Sequence, residues 1–222
     1  GVANRFVNFL NSLANNFVAA AAVVVVLMLL IPVPSVLLNF LMILNIAVAL
    51  IILLTVLYTP KASDLSSFPR VILFSTIFGL ALNVCSTRFI LKNGHVGFDM
   101  FSGDMIKAFA NIVAGEDVII GLMIFIILMI IQVVVITKGA SRVSEVAARF
   151  ALDSMNSKMF AVDSELQSGS ITDEQAREKK ASIRRESDFY SAMDGSSKFV
   201  SGNVKAGIFI TIINLVGGIL FA

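Results

Sequence analysis

The residues of this chain that could do chemistry are charged side chains set within or beside long apolar runs. Arg142, Glu145, Arg149 and Asp153 recur at spacings of three, four and four, which lines them along one face of a helix. Successive opposite charges there can pair, each pair contributing only about 0.2–0.5 kcal/mol, so the plain reading is a solvated charge ladder. Val143, Val146, Ala147 and Phe150 fall on another face of the same helix and call for a partner. Arg88 ends a polar run that starts at Asn83 inside an apolar block. A charge within a bilayer is costly and marks function by default, the alternative being an arginine that snorkels to the interface. Asn83, Ser86 and Thr87 read equally well as hydrogen-bonding glue between helices. Lys198 stands four residues after Asp194, where it either pairs with that carboxylate or anchors a membrane edge. Groups of this kind bind, gate or relay ions.

Covalent chemistry finds little support. The chain has one His and one Cys. Cys85 lies among apolar residues and reads as a packing side chain. His95 sits beside Gly94 with no second His or Cys nearby to share a metal. A membrane enzyme would need a nucleophile–base pair or a metal cluster, and neither is visible. The expectation is therefore no catalysis, no metal and no cofactor. A net charge of +2, with acidic and basic residues interleaved, gives no nucleic-acid signal either.

The elements that must position these groups are membrane spans. Of the 222 residues 57% are hydrophobic and only 14% charged, with a mean hydropathy of +0.91. A spanning helix needs about 20 mostly apolar residues. Five blocks approach that length: Phe17–Val33, Val36–Tyr58, Val71–Leu91, Val118–Thr137 and Val204–Ala222. The first lacks a small-residue cleavage site and runs into the second through Pro32 and Pro34, so it is a span and not a signal peptide. Those prolines cannot continue a helix and predict a tight hairpin at a membrane surface. The last block ends at Ala222 with no polar flank, which suggests a chain cut short. The fold class expected is all-α, a polytopic membrane helix bundle with a small helical cytosolic insert. Its parts are residues 1–137 with spans one to four, the insert 138–203, and a fifth span 204–222.

Orientation follows from the basic residues. Arg5 precedes span one, Lys61 and Arg70 flank the next connector, and most of the remainder lie between residues 138 and 203. Positive loops stay cytoplasmic. The amino terminus, the 59–70 connector and the insert then face the cytoplasm, and the Pro32/Pro34 hairpin and segment 92–117 face the other side. Within that segment Asp104, Lys107, Glu116 and Asp117 accompany Phe101, Met105, Ile112 and Val113 in an amphipathic stretch suited to the interface. Inside the insert the spacing predicts a helix over 140–153, a turn-like break at Asn156-Ser157-Lys158, and a capping box in which Thr172 and Gln175 start a further helix. Asp194-Gly195 is expected to end that helix.

Several stretches together resemble the flagellar/type III secretion export-gate family, FHIPEP. They are Ser66-Ser67-Phe68-Pro69, Leu80 through Arg88, Val135 through Ala140, Glu145-Val146-Ala147-Ala148-Arg149-Phe150, and Asp188-Phe189-Tyr190 through Lys198-Phe199-Val200. The likeness covers nearly all of the chain from Ile31 to Ala222, and the Asn83 to Arg88 run looks more like the flagellar branch than the virulence branch. The resemblance implies a subunit in the bacterial inner membrane with about eight spans and a large carboxy-terminal cytosolic domain, absent here, that receives export substrates and their chaperones. It implies a homo-oligomeric ring, a nonamer, working beside other export-gate membrane subunits. It also implies coupling of proton-motive force to the passage of unfolded flagellar proteins, with the 138–203 insert tied to that coupling. The alternatives are a virulence-type export gate or a self-contained ion-coupled transporter; the latter would need broken spans with facing polar groups at the midplane.

Mapped onto this chain, the resemblance singles out Arg142, Arg149 and Asp153. It also exposes departures. The family usually carries an acidic residue where Asn39 stands and Asp where Asn203 stands, and Gly79 replaces a frequent Arg. An amide does not titrate. The expected titrating group is therefore Asp194, with Asp153 second, and a small movement of Lys198 could switch Asp194 between protonation states. The ion-coupling or gating candidates are Arg88, Arg142, Arg149, Asp153, Asp194, Lys198, Asn203 and Asn39.

Overall fold

The structure, a computed structural model, describes residues 19–20, 23–96 and 102–221. Every longer element among them is helical, so the all-α class holds. In chain order they are α1 (residues 23–30), α2 (Ser35–Tyr58), α3 (Phe68–Asn93), α4 (Asp104–Ala114), α5 (Val118–Ile131), α6 (Ser141–Gln167) and α7 (Asp173–Phe221), with a π-helical stretch, Gln132–Ala140, joining α5 to α6. Among the described residues four helices are long and apolar enough to cross a membrane: Ser35–Tyr58, Phe68–Val96, Val118–Gln167 and Asp173–Leu220. The first predicted span, Phe17–Val33, lies partly outside the described residues.

Local sequence explains most boundaries. Pro32 and Pro34 stop α1, and the Leu38 amide then donates to the Pro34 carbonyl at 2.9 Å as α2 opens. Asp117 caps α5 by accepting from the Ile119 and Ile120 amides at 2.8 and 3.3 Å. The Thr172/Gln175 box forms as its residues predict: the Thr172 amide donates to the Gln175 side chain at 2.9 Å, and the Gln175 amide donates to the Thr172 hydroxyl at 3.3 Å. Between α6 and α7, Gly169 adopts φ +76°, a conformation that favours glycine. Part of the amphipathic segment forms as α4 over Asp104–Ala114, with Ile112 80% exposed; Glu116 and Asp117 lie beyond it, and Phe101 lies outside the described residues.

Two expectations inside the insert fail. There is no break at Asn156-Ser157-Lys158: α6 runs unbroken from Ser141 to Gln167. Nor does α7 stop at Asp194-Gly195; it continues to Phe221. Tertiary ties account for both. Lys158 reaches across to Glu186 on α7 at 3.3 Å, and just past Gly195 the Ser196 hydroxyl bonds the Pro69 carbonyl and the Ser197 hydroxyl meets Ser144. A glycine inside a helix costs only about 1 kcal/mol, which such contacts offset.

The contacts divide the chain into two compact units. One holds residues up to Ile46, Ile77–Phe109 and those from Ile210 on. Its apolar core is Val25, Met28, Leu38, Ala81, Leu82 and Cys85, drawn from α1, α2 and α3. Gly217 of α7 belongs here: a Cβ at that position would stand 2.5 Å from the Leu91 side chain, so any larger residue would have to push Leu91 aside. The other unit, Ala47–Thr76 and Ala110–Phe209, contains the antiparallel α6–α7 hairpin. Ion pairs Lys180–Asp163, Lys179–Glu165 and Lys158–Glu186 zip the hairpin, and the Ser144 and Ser197 hydroxyls meet at 2.7 Å. Buried Ser196 donates to the Pro69 carbonyl of α3 at 3.0 Å.

Candidate functional site

In the first unit the prolines create a problem that α3 solves. Lacking N–H groups, Pro32 and Pro34 leave the carbonyls of Met28 and Leu30 without their usual helical donors. The Cys85 thiol donates to the Met28 carbonyl at 3.0 Å. Arg88, three residues on and so on the same face of α3, donates to the Leu29 carbonyl at 2.9 Å and the Leu30 carbonyl at 3.4 Å. Arg88 is thus a cap for the carbonyl end of α1, where a cation also matches the helix dipole. Sequence reading placed Arg88 among the polar groups of a span but took Cys85 for packing alone. The signal available was the pair of prolines, which announce orphan carbonyls without naming their donors.

Asn39 is brought against the amino end of α4. Its side-chain oxygen accepts from the Met105 amide at 3.3 Å, and its amide nitrogen lies 3.5 Å from an Asp104 carboxylate oxygen. Asp104 therefore supplies a carboxylate beside Asn39 from 65 residues away, an association no local pattern could reveal. The same face of α2 continues into a cavity of about 350 Å³ lined in part by Asn45, Asn83 and Ser86. The Ser86 hydroxyl is already committed to the Leu82 carbonyl of its own helix.

The remaining candidates lie in the second unit. Arg149 pairs with Glu145 at 3.6 Å, both well exposed, an arrangement that contributes about 0–1 kcal/mol. Arg142 and Asp153 are exposed, and no ion pair forms at either among the described residues. The charged face is therefore not stitched along its length into a ladder. Lys198 does pair with Asp194 through one carboxylate oxygen; the other is buried without a hydrogen-bond partner. Asp194 is the more enclosed member, 23% exposed against 59% for Lys198. Asn203 is half-buried two turns further along α7.

One feature of this unit had no sequence signal. Over Gln132–Ala140 the helix is widened, and the Ser141 amide reaches back five residues to the Ile136 carbonyl. Stretches of this kind are rare and often sit at functional positions. The Thr137 hydroxyl within it is buried without a partner. Among the described residues no group of three or more His, Cys, Asp or Glu could hold a metal ion. What the geometry offers is a set of cations and carboxylates arranged on helices, suited to binding, gating and charge movement.

Among the described residues, four helices long and apolar enough to span a membrane, the last two of which also form the charged hairpin, define a multi-pass membrane protein. The chain belongs to the FHIPEP family, whose sequence profile matches residues 25–222. It is similar to proteins named flagellar biosynthesis protein FlhA. It is 51% identical over 208 residues to that of Treponema pallidum, covering 92% of this chain and 29% of the relative. It is 46% identical over 215 residues to that of Borreliella burgdorferi, covering 95% and 30%. With that of Bacillus subtilis the identity is 49% over 190 residues, covering 86% and 27%. The chain thus spans less than a third of the length of these relatives. No solved structure matches it.

Proposed function

We propose that this chain is a membrane portion of the export-gate subunit of the flagellar type III protein export apparatus, set in the bacterial inner membrane. The observation that carries the reading is the 51% identity over 208 residues with a flagellar biosynthesis protein, a span that includes the charged hairpin as well as the apolar helices. In this reading residues 1–137 and 204–222 are membrane parts, 138–203 is a cytosolic working part, and the amino terminus is cytosolic. The subunit acts as a ring, a nonamer, beside other gate proteins. It couples proton-motive force to the passage of unfolded flagellar subunits, without enzymatic chemistry. Substrates and chaperones engage a carboxy-terminal domain of the longer protein.

The site roles belong to the same proposal. Arg142, Arg149 and Asp153 present charge on the exposed side of α6. Asp194, held by Lys198 through only one of its oxygens, is the ion-coupling carboxylate, while Asn203 and Asn39 act through hydrogen bonds. Arg88 holds the end of α1.

Topology and assembly test this together. An impermeant thiol reagent applied to intact cells should label Ser102→Cys and spare Ser170→Cys, both in a Cys85→Ser background. Class averages of the purified longer protein should show a ring. Labelling of the cysteine at position 170 from outside would reverse the orientation, and a monomer would favour a self-contained transporter.

A further inference from the structure

The α6–α7 hairpin leaves an unusual face without a partner. Opposite the side of α6 that packs on α7, Val146, Phe150 and Phe160 are 38%, 70% and 73% exposed, and Asp153 stands among them. Positions 146, 150, 153, 157 and 160 follow spacings of four, three, four and three, so they form one continuous stripe along the helix. In a segment lying in water, aromatic side chains this exposed and aligned mark a contact surface. The outer face of α7 has the opposite relief. Ala181, Ala192 and Gly195 are small and exposed, and Arg184 and Arg185 lie between them with Asp188 one turn on.

The hairpin's own ties set the two faces in register. Ser144 meets Ser197, Lys158 meets Glu186, and Asp163 meets Lys180. Interpolated between those pairs, Phe150 is level with Ala192 and Phe160 lies within a turn of Ala181; Asp153 is level with Tyr190, with Asp188 and then Arg185 following along the outer face, so that only the long guanidinium side chain brings Arg185 within its reach. Large residues on one face thus sit at the heights of small residues on the other, and the carboxylate of the first stands just over one turn from the level of the cations on the second. Among the described residues neither Asp153 nor Arg185 forms an ion pair, so both exposed charges are open to a partner from another chain.

The geometry points to one occupant: a second copy of this chain, whose α7 outer face receives α6, Phe150 closing over Ala192 and Phe160 over Ala181, with Asp153 against Arg185. Because the two faces differ, the contact is head-to-tail, and repeating it produces a closed ring or a filament, not an isolated pair. The inference rests on the cytosolic placement and multi-copy assembly proposed above, and adds the surfaces that carry the contact.

The test uses the longer protein in membranes, carrying Phe150→Cys and Ala192→Cys together in a Cys85→Ser background. Both positions are exposed, so the chain's own folding does not depend on them. A short bifunctional thiol reagent should give a ladder of covalent multimers, whereas mixing the two single-cysteine variants should stop at dimers. Asp153→Arg should lower the ladder yield several-fold, and adding Arg185→Asp should restore it. Absence of a ladder from protein that still purifies as an oligomer would overturn the docking faces and leave the gate reading standing; a monomer would overturn both. Efficient dimers from Phe150→Cys alone would replace the head-to-tail contact by a like-to-like one.

Discussion

Replacing Arg88 by Ala removes the side chain that satisfies the carbonyl end of α1. The structure gives the loss a size. One bond, to Leu29, is well formed at 2.9 Å, and the second, to Leu30, is long at 3.4 Å. A hydrogen bond to a charged donor contributes about 1.5–3 kcal/mol, so the good bond and a fraction of the weak one amount to about 2–3 kcal/mol. At Leu30 no helical amide can take over, because Pro34 has no N–H to offer its carbonyl. Arg88→Lys keeps the charge and one donor and should lose only about 1 kcal/mol. Thermal unfolding of the detergent-solubilised protein should therefore rank the parent first, Arg88→Lys second and Arg88→Ala last, with protein export falling in the same order. Cys85 acts on the neighbouring carbonyl, so Cys85→Ala combined with Arg88→Ala should be non-additive, the signature of groups holding one helix end. If Arg88→Ala melted like the parent while export was lost, the cap would be irrelevant and Arg88 would act directly on an ion or a partner.

Further outcomes follow from other contacts. Thr172→Ala breaks the reciprocal capping box and should destabilise the tip of the hairpin by about 1 kcal/mol, read as faster amide exchange near the start of α7. Arg149→Ala and Asp153→Ala should abolish motility at normal protein levels, since an exposed pair contributes only about 0–1 kcal/mol to folding; wild-type swimming in both would return that face to a solvated surface. Asp194→Asn should block export with the protein still assembled, and Asn203→Asp should be tolerated; export unchanged by Asp194→Asn at every external pH would remove Asp194 from the coupling scheme.

What could be read from sequence divides along the range of the interactions. The second, third and fourth apolar blocks, the Pro32/Pro34 stop and the Thr172/Gln175 box depend on residues within a few positions of one another, and each stands as its residues predict, while the fifth block is the end of the long helix α7. The supposed break at Asn156-Ser157-Lys158 and the supposed end at Asp194-Gly195 were local signals overridden by the Lys158–Glu186, Ser196–Pro69 and Ser144–Ser197 contacts in long packed helices. The Asn39–Asp104 association and the capping of α1 by Cys85 and Arg88 span 57 to 65 residues, where spacing carries no information. The π-helical stretch Gln132–Ala140 contains no proline to announce it. Residues of the candidate set were visible because charges beside apolar runs stand out; partners one turn away, Glu145 for Arg149 and Asp194 for Lys198, were visible too, whereas those of Arg88 and Asn39 were not, because tertiary packing chooses them.

The central claim, that this chain forms part of a flagellar export gate, is tested most directly by exchange. Residues 25–222 would replace the corresponding segment of the Bacillus subtilis relative, with which the chain is 49% identical over 190 residues, and secreted hook and filament proteins would be measured in a strain lacking its own copy. The account predicts secretion restored to a substantial fraction of the native level, and lost again when Asp153→Ala is added. A chimera that inserts into the membrane and accumulates normally, yet secretes nothing, would contradict it.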